Sequence, residues 1–159
     1  SGTVVPDASP EIPEPHAHAY YRVEQKTIDV TRHSPSWVST GGDMISTTQD
    51  LHTFISALNR GELLPAGLLA EMRTPRPTGI PKMGYGLGVF VLDTAGGTVI
   101  THNGAMVGSA ALMYSTPDGS TTLTAALNCV DDPEMSIAGA FQNAQQRLVN
   151  EVFRTLPAD

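Results

Sequence analysis

Apolar residues recur along this 159-residue chain with two different periods, one helical and one typical of strands. One helical face, with apolar positions three and four residues apart, is formed by Leu51, Phe54, Ile55 and Leu58. Thr47 and Asp50 have the capping-box spacing that starts a helix, and Gly61 is suited to end it. A second, shorter helix is predicted over residues 62–73, with Pro65 in its first turn.

From residue 84 onward, short apolar and β-branched runs are separated by glycine-bearing turns. These runs predict four strands, over residues 85–92, 98–101, 110–114 and 121–128. Tight turns are predicted at residues 95–97, 101–108 and 117–119, and residues 74–83 are expected to form a loop. A long C-terminal helix is predicted from the apolar face Ile137, Phe141, Ala144, Leu148 and Val152. The pattern therefore predicts an α+β fold, in which this helix packs on an antiparallel sheet and covers one side of it.

The first 36 residues contain five prolines and little periodicity, which is typical of extended, looping chain. Within them, residues 20–23 and 27–30 have the composition of short strands. The chain therefore divides into an extended loop-rich segment (1–36), a helical part (37–83) and a part with antiparallel strands and the C-terminal helix (84–159).

Composition excludes several classes of function. The net charge of −7, without a basic cluster, argues against binding to nucleic acid or to an anionic membrane. No apolar run is long enough to span a membrane, and the sequence contains no signal peptide. The single Cys129 excludes an internal disulfide. His16 and His18 lack a third ligand at a suitable spacing, and no phosphate or dinucleotide loop is present, so we predict no metal and no cofactor.

Residues 101–108 place a histidine and two glycines where one predicted strand ends. His102 can exchange a hydrogen bond with a bound group there, or it can be a structural histidine in a hairpin. Trp37, the only tryptophan, is suited either to the packed core or to the wall of a ligand pocket. Composition and spacing leave both alternatives open and name no reaction.

Four runs together resemble the C-terminal part of the serine β-lactamase-like family, which includes class C β-lactamases, D-alanyl-D-alanine carboxypeptidases, D-aminopeptidases and esterases. The runs are residues 39–51, Tyr85-Gly86-Leu87-Gly88, His102-Asn103-Gly104 and Pro117-Asp118-Gly119. The resemblance implies a partial β-lactamase/DD-peptidase-like fold and an acyl-transfer serine hydrolase. Members of the family carry a nucleophile motif Ser-x-x-Lys and a second motif Tyr-x-Asn, and neither occurs in this sequence.

We therefore expect this chain to be one C-terminal portion of a larger domain, inactive on its own. A missing N-terminal part would supply the nucleophile and further strands, and the chain would pair with that part or with itself. By resemblance, the whole protein is secreted or lies in the cell envelope, and it acts on a small amide, ester or peptide. The alternatives are a catalytically inactive penicillin-binding-protein-like module, which binds a peptide or partner, and a plain structural domain.

The resemblance also assigns site residues. His102-Asn103-Gly104 stands at the family's third motif, Lys/His-Thr-Gly, so His102 would tune the electrostatic field around the base and substrate. The backbone N–H of Ala105 would donate to the oxyanion. Asn103 and Gly104 would line the edge on which a substrate lies, and Trp37 would wall the acyl side of the pocket.

Departures from the family pattern bear on the substrate. The family's carboxypeptidases hold a terminal carboxylate with hydroxyl groups and an arginine. Asn103 and Ala105 stand at the hydroxyl positions here, and Phe90 stands in the place of the arginine. Because most of a carboxylate site is lost, we expect an amidase, an esterase or another peptidase rather than a strict carboxypeptidase.

Overall fold

The computed structural model describes residues 2–6, 9–32 and 38–154. The helices in this part are a short 3-10 helix, Ser39–Gly41, and the α-helices α1 Thr48–Asn59, α2 Ala66–Arg73 and α3 Ala138–Phe153. The strands of the described part are β1 Tyr20–Val23, β2 Lys26–Asp29, β3 Arg76–Pro77, β4 Met83–Tyr85, β5 Phe90–Thr94, β6 Gly97–Thr101, β7 Gly104–Met106, β8 Ser109–Ser115, β9 Thr122–Asn128 and β10 Val130–Asp131.

Seven strands form one antiparallel sheet, in which β8 pairs with three others. The strands β3, β4, β5 and β6 lie side by side, and β6 pairs with β8. The short strand β7 pairs with the same edge of β8 further along, while β9 pairs with its other edge. A second sheet of three strands has the order β10-β1-β2, with β1 parallel to β10.

The larger sheet is covered by helices on both faces. Alternate side chains of its strands, including Val99, Leu112 and Tyr114, pack against Val149 and Phe153 of α3. On the opposite face, Met113 packs against a cluster that α1 and α2 contribute, formed by Ile55, Leu58 and Leu69. The result is a three-layer arrangement of helix, sheet and helices, because each face of the sheet buries its own set of apolar residues.

The structure confirms the α+β class and the packing of the C-terminal helix on an antiparallel sheet. The start of α1 follows the predicted capping chemistry, since the Thr47 hydroxyl accepts a hydrogen bond from Asp50 N–H at 3.1 Å. Gly61 ends this helix with a positive φ of 78°, a conformation that glycine adopts at little cost. The two short strands predicted near residues 20–30 are present as β1 and β2.

The prediction of one strand over residues 85–92 is wrong. The chain turns at residues 86–89 and returns as β5, with Gly86 N–H donating to the Val89 carbonyl at 2.8 Å. Gly88 has a φ of 78°, and this positive φ makes the turn possible. Residues 74–83, predicted as a loop, likewise contain β3 and the start of β4.

Two helix predictions also need correction. α2 begins at Ala66 rather than at residue 62, because Pro65 has an extended ψ of 144° and disfavours helical backbone before it. In α3 the buried residues are Val149 and Phe153, whereas Leu148 of the predicted face is 41% exposed. Phe141 and Val152 of the predicted face do pack, partly buried, against the cluster that holds Val149 and Phe153, so the predicted row marks only one side of the buried face.

Candidate active site

The third motif lies on an edge of the sheet that is open on one side. β5 begins at Phe90, which pairs with Thr101 at the end of β6. Beyond this point β7 continues the line of β6, and among the described residues it has a strand partner only in β8. Residues 101–108 were predicted as a turn, and this is wrong for Gly104–Met106, which form a strand. The turn itself is confined to Val107 and Gly108.

The backbone of Ala105 points away from β8. His102 N–H donates to the Met113 carbonyl at 3.3 Å, so Met113 turns its backbone polar groups toward the β6–β7 side. These groups alternate in direction along a strand, so Ala111 faces the same way as Met113, and Ala110 faces β9. Ala105 pairs with Ala110. Its N–H and C=O therefore make no bond to β8 and point to the open edge.

In the gap between β6 and β7, the Asn103 side chain replaces one backbone hydrogen bond of the ladder to β8. Its Oδ1 accepts a hydrogen bond from Met113 N–H at 3.0 Å. The Thr101 hydroxyl, which donates to the Met113 carbonyl at 2.7 Å, lies 3.3 Å from the same Oδ1. The Asn103 Nδ2 donates to the Tyr114 hydroxyl at 2.6 Å. Gln145 of α3 donates to the same hydroxyl. The Asn103 amide is thus bonded within the chain, which leaves its backbone as the part that can line a substrate edge.

An aromatic row borders the open edge. The rings of Tyr85 and Phe90 meet edge to face with centroids 4.6 Å apart, and the Phe90 ring lies 5.9 Å from the ring of His102. His102 is exposed, whereas Phe90 is half-buried. This row gives one side of the edge an apolar surface that ends in a titratable group.

A cavity of about 680 Å³ lies between this end of the sheet and α3. Phe90 and Asn103 line it on the sheet side, and Gln142, Gln146 and Asn150 line it on the helix side. The cavity therefore adjoins the third motif on the face that α3 covers. Its walls combine an apolar floor with amide groups.

The tip of the β7–β8 hairpin rests on the small sheet. Gly108 has a φ of 71°, and its carbonyl accepts a hydrogen bond from Cys129 N–H at 2.9 Å. The Cys129 carbonyl in turn accepts from Tyr20 N–H at 3.2 Å. A Cβ on Gly108 would lie 2.7 Å from the Tyr20 nitrogen. Only glycine fits this contact, which fixes the hairpin tip next to the start of β1.

A polar clasp holds the residues on which Gly108 rests. His18 Nδ1 and Asp29 Oδ2 are 2.6 Å apart, and Asp29 Oδ1 accepts a hydrogen bond from Thr31 N–H at 2.9 Å. Hydrogen bonds from Thr31, and then from His18, lower the pKa of Asp29 from 3.8 to about 2. Ala19 N–H donates to the Thr31 hydroxyl, which ties the strand ends together. Within the described ranges, no group of three or more His, Cys, Asp or Glu residues is arranged to hold a metal ion.

The predicted site residues have different outcomes. His102, Asn103, Gly104, Ala105 and Phe90 lie together around the open edge. Trp37 lies outside the described residues, so its assignment stays a prediction. No pattern in the sequence indicated Tyr114 and Gln145. Their polar ends join Asn103 in one hydrogen-bond chain only after the strands and α3 have packed.

This geometry has counterparts among known proteins. The sequence model of the family described as Beta-lactamase matches residues 4–147. The chain belongs to the β-lactamase family. A D-stereospecific amidohydrolase from Streptomyces sp. is 32% identical with a TM-score of 0.80, and the match covers 95% of this chain and 43% of that one.

Two more distant structures share the fold. The D-amino acid amidase from Ochrobactrum anthropi SV3, solved with D-phenylalanine, is 22% identical with a TM-score of 0.69 over 92% of this chain and 48% of its own. A penicillin-binding protein from Bacillus halodurans is 18% identical with a TM-score of 0.62 over 84% and 42%. This member of the β-lactamase family therefore spans less than half the length of the structures it matches. None of the helices in its described part is long and apolar enough to cross a membrane.

Proposed function

We propose that this chain forms one wall of the acyl-transfer site of a serine hydrolase, and that the Ala105 N–H donates to the oxyanion. The observation that carries the proposal is the outward N–H of Ala105 on the unpaired edge of β7, directly after the third motif. The serine and lysine of Ser-x-x-Lys come from a part of the protein outside this sequence. Membership of the β-lactamase family supports this division.

The proposed reaction begins when the serine hydroxyl, deprotonated by a neighbouring base, adds to the substrate carbonyl carbon. The carbonyl electrons move onto oxygen, and the Ala105 N–H stabilises the charge together with the serine's own N–H. The base then returns the proton to the amide nitrogen, the C–N bond breaks, and a neutral amine leaves an acyl ester on the serine. Water, deprotonated by the same base, adds to this ester, and the proton returns to the serine oxygen as the acid is released. His102 stands beside this edge and tunes the electrostatic field around the base and the substrate.

We propose amides of D-amino acids as the substrates, rather than peptides with a free terminal carboxylate. The Asn103 amide is already bonded to Met113 and Tyr114, Ala105 has no side-chain donor, and Phe90 carries no charge. A carboxylate would therefore find few partners at these positions. The name of the Streptomyces protein, a D-stereospecific amidohydrolase at 32% identity, supports the choice of an amide and of its configuration.

We also propose that the rest of the protein completes the fold. β9 pairs only with β8 among the described residues, so its outer edge offers unpaired backbone groups to another strand. The 159-residue chain alone should pair with the missing part or with itself and should hydrolyse nothing. Size-exclusion chromatography with light scattering tests this. A monodisperse monomer that melts cooperatively would contradict the division of the fold.

The function is tested on the full-length protein with a fluorophosphonate probe and with the two enantiomers of phenylalanine amide. We expect labelling of one serine, and a kcat/KM for the D-amide at least tenfold above that for the L-amide. Hydrolysis of both enantiomers at equal rates would contradict the proposed substrate but not the serine hydrolase. Failure to label any serine, with binding of peptide but no hydrolysis, would favour the inactive penicillin-binding-like module instead.

A further inference from the structure

We infer that Asn103 and Tyr114 are positioning residues that hold β7, and with it the Ala105 N–H, at the angle that oxyanion binding requires. The inference rests on the proposed function, and it assigns the Asn103 side chain a role inside the sheet rather than a contact with substrate. Three features of the described residues carry it: the register around the break, the bonding of both polar atoms of the Asn103 amide within the chain, and the few bonds that hold β7.

The register is unbroken where β6 gives way to β7. Thr101 pairs with Tyr114, and Gly104 pairs with Ala111, so three steps along one strand match three along the other. A regular ladder would place His102 opposite Met113 and join them by two backbone hydrogen bonds.

The described residues have one of these two bonds. His102 N–H donates to the Met113 carbonyl, but Met113 N–H donates to Asn103 Oδ1 at 3.0 Å. A side-chain oxygen has therefore taken the place of a backbone carbonyl.

The other polar atom of the Asn103 amide, Nδ2, is also hydrogen-bonded. Nδ2 donates to the hydroxyl of Tyr114, a residue that is only 2% exposed. That hydroxyl also bonds to Gln145 on α3, the helix that covers this face of the sheet. Because every partner is buried or half-buried and packed, the amide fixes the backbone at position 103 with respect to two separate elements.

Gly108 fixes the far end of the β7–β8 hairpin, and Asn103 fixes the end at which β7 begins. The strand has three residues, no described residue pairs with its outer edge, and Gly104 and Met106 are the residues through which it bonds to β8. Ala105 lies two residues after Asn103, so a rotation of the backbone at 103 changes the direction of the Ala105 N–H. An oxyanion donor acts only at about 2.7–3.1 Å from the position of the charged oxygen, so small displacements reduce the rate.

The test uses the full-length protein and the variants Asn103→Ala, Tyr114→Phe and the double variant. We expect Asn103→Ala to lower kcat by about 10- to 100-fold, and Tyr114→Phe by about 3- to 10-fold, with KM within about threefold of wild type. Because the two side chains act through one hydrogen bond, the double variant should be no slower than Asn103→Ala. Asn143→Ala removes an exposed amide side chain of the same helix that does not line the cavity, so it is the matched control and should leave kcat unchanged.

The kinetic parameters of these variants distinguish a positioning role of Asn103 from a contact with substrate. A rise in KM with kcat unchanged would assign the Asn103 side chain to substrate contact and overturn the inference, as would independent, multiplicative losses in the double variant. If Asn103→Ala does not fold, Tyr114→Phe, which removes only a hydroxyl, carries the test. A labelled, active wild type with unaffected variants overturns this inference alone. A wild type that neither labels nor hydrolyses overturns the proposed function and this inference together.

Discussion

Ala105 and Ala110 are a non-hydrogen-bonded residue pair of the β7–β8 ladder, so the N–H of Ala105 faces the open edge of the sheet. A buried N–H without a partner is costly, so a donor left free at a sheet edge is available to water or to a ligand. Here the free donor directly follows His102-Asn103-Gly104, beside an aromatic row. This free N–H is the structural basis for the oxyanion stabilisation that we propose for Ala105.

The hairpin tip should tolerate no side chain at Gly108. Gly108→Ala combines a φ of 71° with a Cβ placed 2.7 Å from the Tyr20 nitrogen, and we expect it to lower the free energy of unfolding by about 1–3 kcal/mol. Gly104→Ala is the control in the same hairpin, because its Cβ meets no atom within 4 Å. Urea denaturation of both variants of the full-length protein measures the difference in free energy of unfolding. Equal stabilities would show that Tyr20 does not constrain the tip.

Phe90 should set the preference between amide and carboxylate substrates. Phe90→Arg places a cation beside His102 and Tyr85, where a terminal carboxylate can pair with it. We expect the ratio of kcat/KM for a peptide ending in D-alanine to that for its C-terminal amide to rise about tenfold. Phe90→Leu keeps the site apolar and should leave the ratio unchanged. A fall in both activities without a change in the ratio would remove Phe90 from substrate selection.

Acid should loosen the clasp beneath the hairpin. The pKa of Asp29 is lowered from 3.8 to about 2, so its carboxylate form is favoured by folding. Its contribution is therefore fully present above about pH 4 and is lost as the pH falls toward 2. Asp29→Asn should remove this part of the pH dependence of the melting temperature and leave the rest.

Asp118 is the comparison for that experiment, because hydrogen bonds from Thr116 and Ser120 lower its pKa to about 2 as well. The melting temperatures of the full-length wild type, Asp29→Asn and Asp118→Asn are measured between pH 2 and 6. Each single variant should lose only its own share of the slope. An Asp29→Asn profile that parallels wild type throughout would mean that the clasp does not contribute to stability.

The sequence was a good guide where local chemistry decides the structure. The Thr47 cap, the stop at Gly61 and the turn at residues 117–119 each depend on residues close together in the chain. The fold class followed from the change of period near residue 84. These features were predictable because capping, turn formation and the burial of one apolar face act over a few residues.

The sequence was a poor guide where distant elements decide. Residues 85–92 have the composition of one strand, but Gly88 allows a turn that only the pairing of β4 with β5 makes favourable. The buried face of α3 depends on which of its residues meet Val99, Leu112 and Tyr114 of the sheet. The role of Asn103 depends on Tyr114, which lies 11 positions further along the chain. It depends also on Gln145, which lies 31 positions beyond Tyr114. No local pattern encodes such contacts.

The rate of acylation of the full-length protein measures whether the Ala105 N–H stabilises the oxyanion. Ala105→Pro removes this N–H at an edge position, where proline is tolerated, and Ala105→Ser retains it. Stopped-flow acylation by D-phenylalanine p-nitroanilide should slow by about 100- to 1,000-fold in the proline variant and by less than about threefold in the serine variant. Equal acylation rates in a folded Ala105→Pro protein and in wild type would show that the Ala105 N–H does not stabilise the oxyanion.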